Sequence, residues 1–423
     1  MKAARTWSHR ITRQPLAWGL KIVAAVTMVL LPAHADSLCE WEEATALPHP
    51  VSPRKAVWGN DQFVAVDGSG KGLLLRSPDG DVWTRQTVAA TASLAGIAYG
   101  KATYVAVGGR SIITSPDGVM WSRQTLAETN AVLAAVAFAQ DQFVAVGRLT
   151  VDDSGSVLSL ILASPNGQTW QLRDAGTSFG LNGLTFGNGV FVAVGERGHA
   201  LISPDGATWK PSNGIAGADY LAGVAFGNGT FVAVGAAGGS CSGSGTALYS
   251  TSTDGMTWSG PRGGGWPFSG SCSFDGVTFG AGHFVAVGNY AARGGLHGSV
   301  VSSQDGQNWV GVAGKQTTFF GVAYGNNRFL ALGEETVLRS GDLSAPPKPP
   351  RFLTSGPLWL DSDGMHLTLA APSGAVLVIQ FSTDLAKWDL LKTVTNLACA
   401  TEVLDPDASR SSSRFYRATQ TGP

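Results

Sequence analysis

Charge is scarce in this chain. Asp, Glu, Lys and Arg make up 14% of its 423 residues, against ~25% in an average globular protein. Coiled coils, helical bundles and disordered segments need more charge, fewer glycines, or both. Cysteine is sparse as well: Cys39, Cys241, Cys272 and Cys399, with no Cys-x-x-Cys among them. The histidines beyond residue 35 (His49, His199, His283, His297 and His366) are scattered, so no zinc site is expected and no cofactor is implied. No glycine-rich stretch opens a helix to cradle a phosphate, and no Ser-His-Asp set can be assembled. Glycine, by contrast, is plentiful. The 56 glycines are about 13% of the chain, against ~7% on average. Together with 44% hydrophobic residues, they describe a glycine-punctuated all-β protein with room for more than one domain.

The N-terminus reads as a leader. Lys2, Arg5, Arg10, Arg13 and Lys21 form a basic region without an acid, followed by an apolar run from Ile22 to Leu31 and an Ala33-His34-Ala35 cleavage pattern. That is the layout of a Sec-type signal peptide over residues 1–35, cut after Ala35. The apolar run falls short of the ~20 residues of a bilayer span. A secreted or periplasmic protein is expected, with no membrane span. Removing the basic leader leaves a mildly acidic chain, which disfavours a nucleic-acid partner. In an exporting compartment the four cysteines become candidates for disulfides.

One pattern recurs seven times. A short apolar strand ends in an aromatic, as in Ala56-Val57-Trp58, Ile97-Ala98-Tyr99, Val136-Ala137-Phe138 and Leu184-Thr185-Phe186. The later copies are Val224-Ala225-Phe226, Val277-Thr278-Phe279 and Val322-Ala323-Tyr324. A tight turn follows, twice as Gly-Asn-Gly, and then Phe-Val-Ala-Val-Gly or a variant starting at Phe63, Tyr104, Phe143, Phe191, Phe231, Phe284 and Phe329. Asn-Gly between such runs signals a type I′ hairpin, whose two central residues need φ > 0. A third strand then leads through Ser-Pro-Asp-Gly, or a relative of it, to a Trp. These turns run from Ser77 to Trp83, Ser115 to Trp121, Ser164 to Trp170, Ser203 to Trp209, Ser252 to Trp258 and Ser303 to Trp309. Four short antiparallel strands repeated radially make a β-propeller blade.

These turns resemble the Asp-box, the bacterial neuraminidase repeat of sialidase-like propellers, over about residues 39–343. The match is to Ser-x-Asp-x-Gly-x-x-Trp, and every copy here is one residue shorter, Ser-x-Asp-Gly-x-x-Trp. The resemblance implies a propeller whose boxes lie opposite the ligand face. It carries little implication of sialidase chemistry, since no Arg-Ile-Pro opens the propeller and no Tyr–Glu nucleophile pair can be picked out. Asp79, Asp117, Asp205, Asp254 and Asp305 are read as structural turn residues. Blade three has Asn166 in their place, and an amide can make the turn's hydrogen bonds but cannot act as an acid.

The seventh unit stops at Ser340-Gly341-Asp342-Leu343 without a Trp. Trp41-Glu42-Glu43-Ala44-Thr45 supplies the missing outer strand and would latch the ring closed. A seven-bladed β-propeller is therefore expected over 36–343, closed by an N-terminal strand. A Pro-rich linker follows over 344–351, and a small β-sandwich-like all-β domain over 352–423. That last segment resembles the modules that end many exported bacterial proteins, with Ser-Thr-Asp-Leu-x-x-Trp (Ser382 to Trp388) and Arg414-Phe415-Tyr416-Arg417. An eighth blade is the competing reading.

Strand alternation puts both tight turns of each blade on one face and the second-to-third and interblade loops on the other. The longer loops, Arg148 to Val157, Ala236 to Thr246, Gly260 to Ser271 and Asn289 to Gly298, are where binding is expected. Their aromatics are Trp266, Phe268 and Tyr290, and their charges include Asp152, Asp153, Arg262 and Arg293. Arg110, Arg148 and Arg197 each follow a second strand; sialidases hold a carboxylate with three arginines, so these are candidates for a shared anion site. The reading is an exported binding module for a glycan or protein ligand, without catalysis. Two alternatives stand beside it. One is a sialidase-like glycoside hydrolase, for which Asp152 and Glu196 would be the acids; the other is a structural cell-surface protein. Cys241 and Cys272 lie in Gly/Ser-rich loops expected on the same face, so a bridge between them is anticipated, which leaves Cys39 and Cys399 by elimination.

Overall fold

The computed structural model describes residues 21–22, 38, 41–70, 72–88, 93–126, 130–152, 155–238, 245–263, 270–292, 295–344, 351–352, 359–360, 364–370, 376–395, 400–410 and 413–421. The chain divides into two compact units, one of which is Trp41–Ser340. That unit is a seven-bladed β-propeller. Its seven sheets each have four antiparallel strands, and six of them follow chain order outward. Blade 1 comprises Pro53–Gly59, Gln62–Asp67, Leu73–Ser77 and Thr84–Thr87; blade 6 comprises Ser271–Gly280, His283–Ala292, Gly295–Ser303 and Val310–Lys315. Among the described residues, no helix is long and apolar enough to cross a membrane.

The seven hairpins joining first and second strands share one backbone solution. Both central residues have positive φ in every blade: Asn188 and Gly189 at 46° and 78°, but also Lys101 and Ala102 at 47° and 51°. The type I′ geometry is thus imposed by strand twist even where the residues are poor for it. Across each turn two aromatics meet, from Tyr99 and Tyr104 at 4.6 Å to Phe186 and Phe191 at 4.9 Å between ring centroids. The second aromatic of each pair, Phe63 to Phe329, is fully buried. The core lies between blades: Val105, Val107 and Ile112 of one pack against Val136, Phe143 and Leu160 of the next.

The first aromatic of each pair also reaches across to a neighbouring blade. It lies on the glycine that ends the previous blade's first strand, so that a Cβ on Gly59 would fall 2.3 Å from the Tyr99 ring and one on Gly227 2.1 Å from Phe279. The series continues through Gly100, Gly187 and Gly280 and closes at Gly325, against Trp58 of blade 1. In blade 3 Ala139 holds that place, packed in the same cluster as Phe186. No larger side chain would let the rings seat.

The ring is latched by its N-terminal strand. Trp41, Glu42 and Glu43 pair antiparallel with Ser340, Arg339 and Leu338. In blade 1, Thr84 pairs with Arg76, one residue before Ser77; Glu42 pairs with Arg339, one residue before Ser340. Trp41 therefore stands where the other blades carry their turn Trp. Its ring is only half-buried, less than full burial in the core would give. Beyond the strand, the Ala44 N–H donates to the Val337 carbonyl (2.9 Å) and the Thr45 N–H to the Asp81 carboxylate (2.8 Å). The latch is thereby stitched to blades 7 and 1.

The other unit has two sheets of its own. Val376–Ser382 lies between Asp389–Thr395 and Ser413–Thr421, while Met365–Ala370 pairs with Ala400–Asp405, Arg351–Phe352 and Trp359–Leu360. Leu367, Leu369, Leu377, Ile379, Val403 and Tyr416 form its core. Asp405, fully buried, accepts from the Arg414 guanidinium (2.9 Å) and the Tyr416 hydroxyl (2.8 Å). The Ser382-Thr383-Asp384 turn makes the same bonds as the propeller's turns, with Leu385 at φ 65° in the glycine's place. The Pro346 to Pro350 segment lies outside the described residues.

Candidate functional site at the channel mouth

Each sheet has its first strand at one end, and these seven edges enclose a central channel with a cavity of about 290 Å³. Most lining side chains are Gly, Ala or Val, since seven strands converging on an axis leave little room.

The box turns sit at one end of the strands. In blade 4, the Asp205 carboxylate accepts from the N–H groups of Ala207 (2.9 Å) and Thr208 (2.7 Å) and from the Ser203 hydroxyl (3.0 Å). Asn166 accepts from Gln168, Thr169 and Ser164 with the same geometry. The glycine after each has φ between 70° and 81°, and its carbonyl accepts from the turn Trp Nε1–H. Backbone donors hold the carboxylates of Asp117, Asp205 and Asp254 low, Asp205 at about 2. For Asp79 and Asp305 burial pushes upward but the same donors prevail.

The opposite end holds the longer connections, some of which are regular. Arg148 lies inside the strand Gln142–Thr150, and Tyr290 inside His283–Ala292, paired with Ser271 and His297. Cys272 belongs to the strand Ser271–Gly280, buried and not a free thiol. These three positions were expected in loops. Long hairpin ribbons carry them instead: Arg148 and Tyr290 have strand partners on both sides, and Cys272 sits at a bulge of the ribbon's edge strand. Trp266, Phe268, Arg293, Asp153, Cys39, Cys241 and Cys399 lie outside the described residues.

The arginines are exposed or half-exposed on this end. Arg148 Nη1 meets Glu196 Oε1 at 3.6 Å, and the Gly180 N–H donates to Glu196 Oε2 at 3.1 Å. Arg197, at φ 54°, donates its N–H to the Asp219 carbonyl, while the Arg110 carbonyl accepts from Leu126. Among the described residues, Arg148 is the one of the three arginines that makes an ion pair, and that pair does not include Arg110 or Arg197. Asp152 accepts from the Ser156 N–H (2.9 Å), closing its own turn. Two ring pairs border the same end: Phe179 stacked on His199 at 4.2 Å, and Tyr290 beside His297 at 5.3 Å.

A further ring of residues was not singled out from sequence. Six of the seven first strands carry a β-bulge just before the channel-lining segment, at Arg54, Ala134, Asn182, Ala222, Asp275 and Phe320. A bulge leaves one residue outside the regular pairing and re-aims its side chain. The ring is lopsided. Blades 3 and 5 contribute alanine, whereas blades 6, 7 and 1 contribute Asp275, Phe320 and Arg54. The Arg54 guanidinium lies 4.5 Å over the Phe320 ring, a cation–π contact. Asp275 Oδ2 accepts from Asn289 Nδ2 (2.7 Å) and the Ser273 hydroxyl (3.1 Å). Burial pushes the Asp275 carboxyl up to about 6, against the pull of Ser273, Lys55, Asn289 and Arg54. Burial likewise raises the Tyr220 hydroxyl, and the Asp275 charge adds to it. The sequence signal lay in comparing blades: where blades 3 and 5 have Ala134 and Ala222, blades 6, 7 and 1 have Asp275, Phe320 and Arg54.

No family model matches the chain, and no curated protein matches it. Among solved structures it is similar to a streptogramin B lyase at 10% identity and TM-score 0.50, covering 71% of this chain and 96% of that one. It is also similar to a catalytically inactive virginiamycin B lyase from Staphylococcus aureus with quinupristin, at 8% identity and TM-score 0.52, covering 71% and 99%. The Pan2 WD40 domain of Neurospora crassa matches at 10% identity and TM-score 0.54, covering 75% and 100%. At such identities the likeness is one of propeller fold alone.

Proposed function

We propose that this protein is an exported, non-catalytic binding module that takes a glycan at the mouth of its propeller, on the end opposite the box turns. The observation that carries the reading is the lopsided bulge ring. Three adjoining blades of the repeating scaffold set a cation–π pair and a hydrogen-bonded carboxylate in one sector, and the same end carries the Phe179–His199 stack and the tilted Tyr290–His297 pair. Export rests on the leader's residue pattern, and kinship to Asp-box propellers on the turn motif. Absence of catalysis is argued from the acids. Glycoside hydrolysis needs two carboxyl groups facing one bond, and Glu196 and Asp152 are each engaged by neighbouring backbone N–H groups.

The mature chain on a glycan array, paired with a turnover screen on aryl glycosides, tests this. Saturable binding to a restricted set of glycans is expected, weakened by Arg54→Ala and by Phe320→Ala, with no aryl glycoside hydrolysed. Hydrolysis abolished by Glu196→Gln would overturn the reading in favour of a glycosidase. An array without any binder would leave a structural surface role.

A further inference from the structure

The seven first strands can be superposed residue by residue, and one place in that register is reserved for small side chains. It holds Gly96, Ala135, Gly183, Gly223, Gly276 and Gly321 in blades 2 to 7, and Lys55 in blade 1. A lysine here is expensive unless its ammonium does something, because the channel wall strips its water. That loss of solvent draws Lys55 below the ordinary lysine range, and Asp275 only partly opposes it.

The side chain has a bed made for it. A Cβ on Gly321 would lie 3.6 Å from Lys55 Cδ, and one on Gly276 3.4 Å from Lys55 Nζ. Lys55 therefore runs from blade 1 past blade 7 and ends against blade 6. Its ammonium has no hydrogen-bond or ion-pair partner among the described residues. Of the residues that line the cavity, it alone carries a charge, and Asn182, Thr185 and Thr278 add the other polar side chains. The first strands are sheet ends, so their outward backbone edges offer further N–H and C=O groups.

We propose that the channel is a binding site for a small polar monocarboxylate, its carboxylate paired with Lys55 Nζ and its remaining polar groups bonded to the strand edges. The lining supplies one charge, the Lys55 ammonium, which matches one carboxylate and would leave a dianion half-compensated. The cavity, about 290 Å³, stands at the small end of ligand pockets and excludes an oligosaccharide. This site is independent of the glycan reading of the mouth, and either can fail without the other.

Calorimetric titration of the mature chain with lactate, alanine and neutral lactamide tests it. Lactate or alanine should bind one to one, about tenfold or more tighter than lactamide, which is ~1.4 kcal/mol or more. Whichever of the two binds tells a hydroxy acid from an amino acid. Lys55→Met, close in volume, should remove the preference for the anion, while Lys210→Ala, exposed on the outer strand of blade 4, leaves it unchanged. If Lys55→Met does not fold, protection of Lys55 from reductive methylation by the bound carboxylate, measured against exposed Lys210 by mass spectrometry, replaces it. Carboxylates that bind Lys55→Met as well as wild type would overturn the proposal. So would a wild-type chain that takes up neither at tens of millimolar, or a Lys55 methylated at the same rate with and without them.

Discussion

Replacing Asp205 by Asn and by Ala separates a turn cap from an acid. Asp205→Ala removes the acceptor for two backbone N–H groups and the Ser203 and Thr208 hydroxyls. The loss resembles that of a helix N-cap, ~0.5–2 kcal/mol. Asp205→Asn keeps the Oδ1 acceptor, and blade 3 shows that an amide makes every one of those Oδ1 bonds through Asn166. Its cost should be about 0.5 kcal/mol or less. At ~2–4 °C per kcal/mol, calorimetry of the mature chain at pH 7 should place Ala a few degrees below wild type and Asn within about one degree. Acidity adds a second reading. The folded Asp205 carboxyl is depressed to about 2 from the ordinary 3.8. Its contribution is therefore present above pH ~4 and lost as pH falls through ~2. Because Asp205 is exposed, solvent screening keeps that contribution well below its full linkage value. Wild type should lose its small advantage over Asp205→Asn across that window. An Asn variant as unstable as the Ala variant at pH 7 would refute the argument, for charge and not acceptor geometry would then hold the turn.

Deleting residues 41–46 should open blade 7 and lower the melting temperature by several degrees, and an unchanged melting curve would refute the latch. Trp41→Ala alone should cost ~1–2 kcal/mol, since only part of its ring leaves water. Asp275, whose folded carboxyl is raised to about 6, favours the folded state at low pH and loses that contribution as pH rises through ~6. Asp275→Asn should therefore flatten the fall in melting temperature between about pH 4 and pH 6; parallel curves for the two proteins would count against the buried acid. Peptide mapping of unreduced protein is expected to recover a Cys241–Cys272 cross-link, and alkylation of both residues in the native protein would falsify it.

The blade count, the strand order and the closing strand could be read from sequence because each is written as local chemistry. Trp41 was recognisable as a displaced turn Trp, and the Ser-x-Asp-Gly turns fix both their φ values and their hydrogen bonds by residue type. The blade 6 ribbon was not legible. Asn289-Tyr290-Ala291 and Gly295-Leu296-His297 look like loop, and only pairing to one another makes them strands. The bulge ring was missed for a related reason: a bulge is a property of register between two strands, so nothing in Phe274-Asp275-Gly276 alone announces it. Lys55 was visible, standing in Lys-Ala-Val-Trp where the other blades open on Gly or Ala, but its meaning depends on Gly321 in the adjoining blade and Gly276 in the one beyond.

The seating of each aromatic on the preceding blade's glycine bears on how such a ring can grow. Every blade carries one knob and one socket, and they face opposite neighbours. A tandem duplication of one whole period, begun at any point in the repeat, adds a knob and a socket together and leaves none unmatched. Knob and socket are consecutive residues, as in Tyr99-Gly100 and Phe279-Gly280, so a copied segment carries both or neither. A copied whole period also brings the four strands that aim the pair at its two neighbours, so a blade can be gained or lost without a mismatch. The latch shifts the frame, because the ring's terminal blade is assembled from both ends of the gene segment. A copy error at either end therefore strikes the same blade, while errors between them are absorbed as a blade gained or lost.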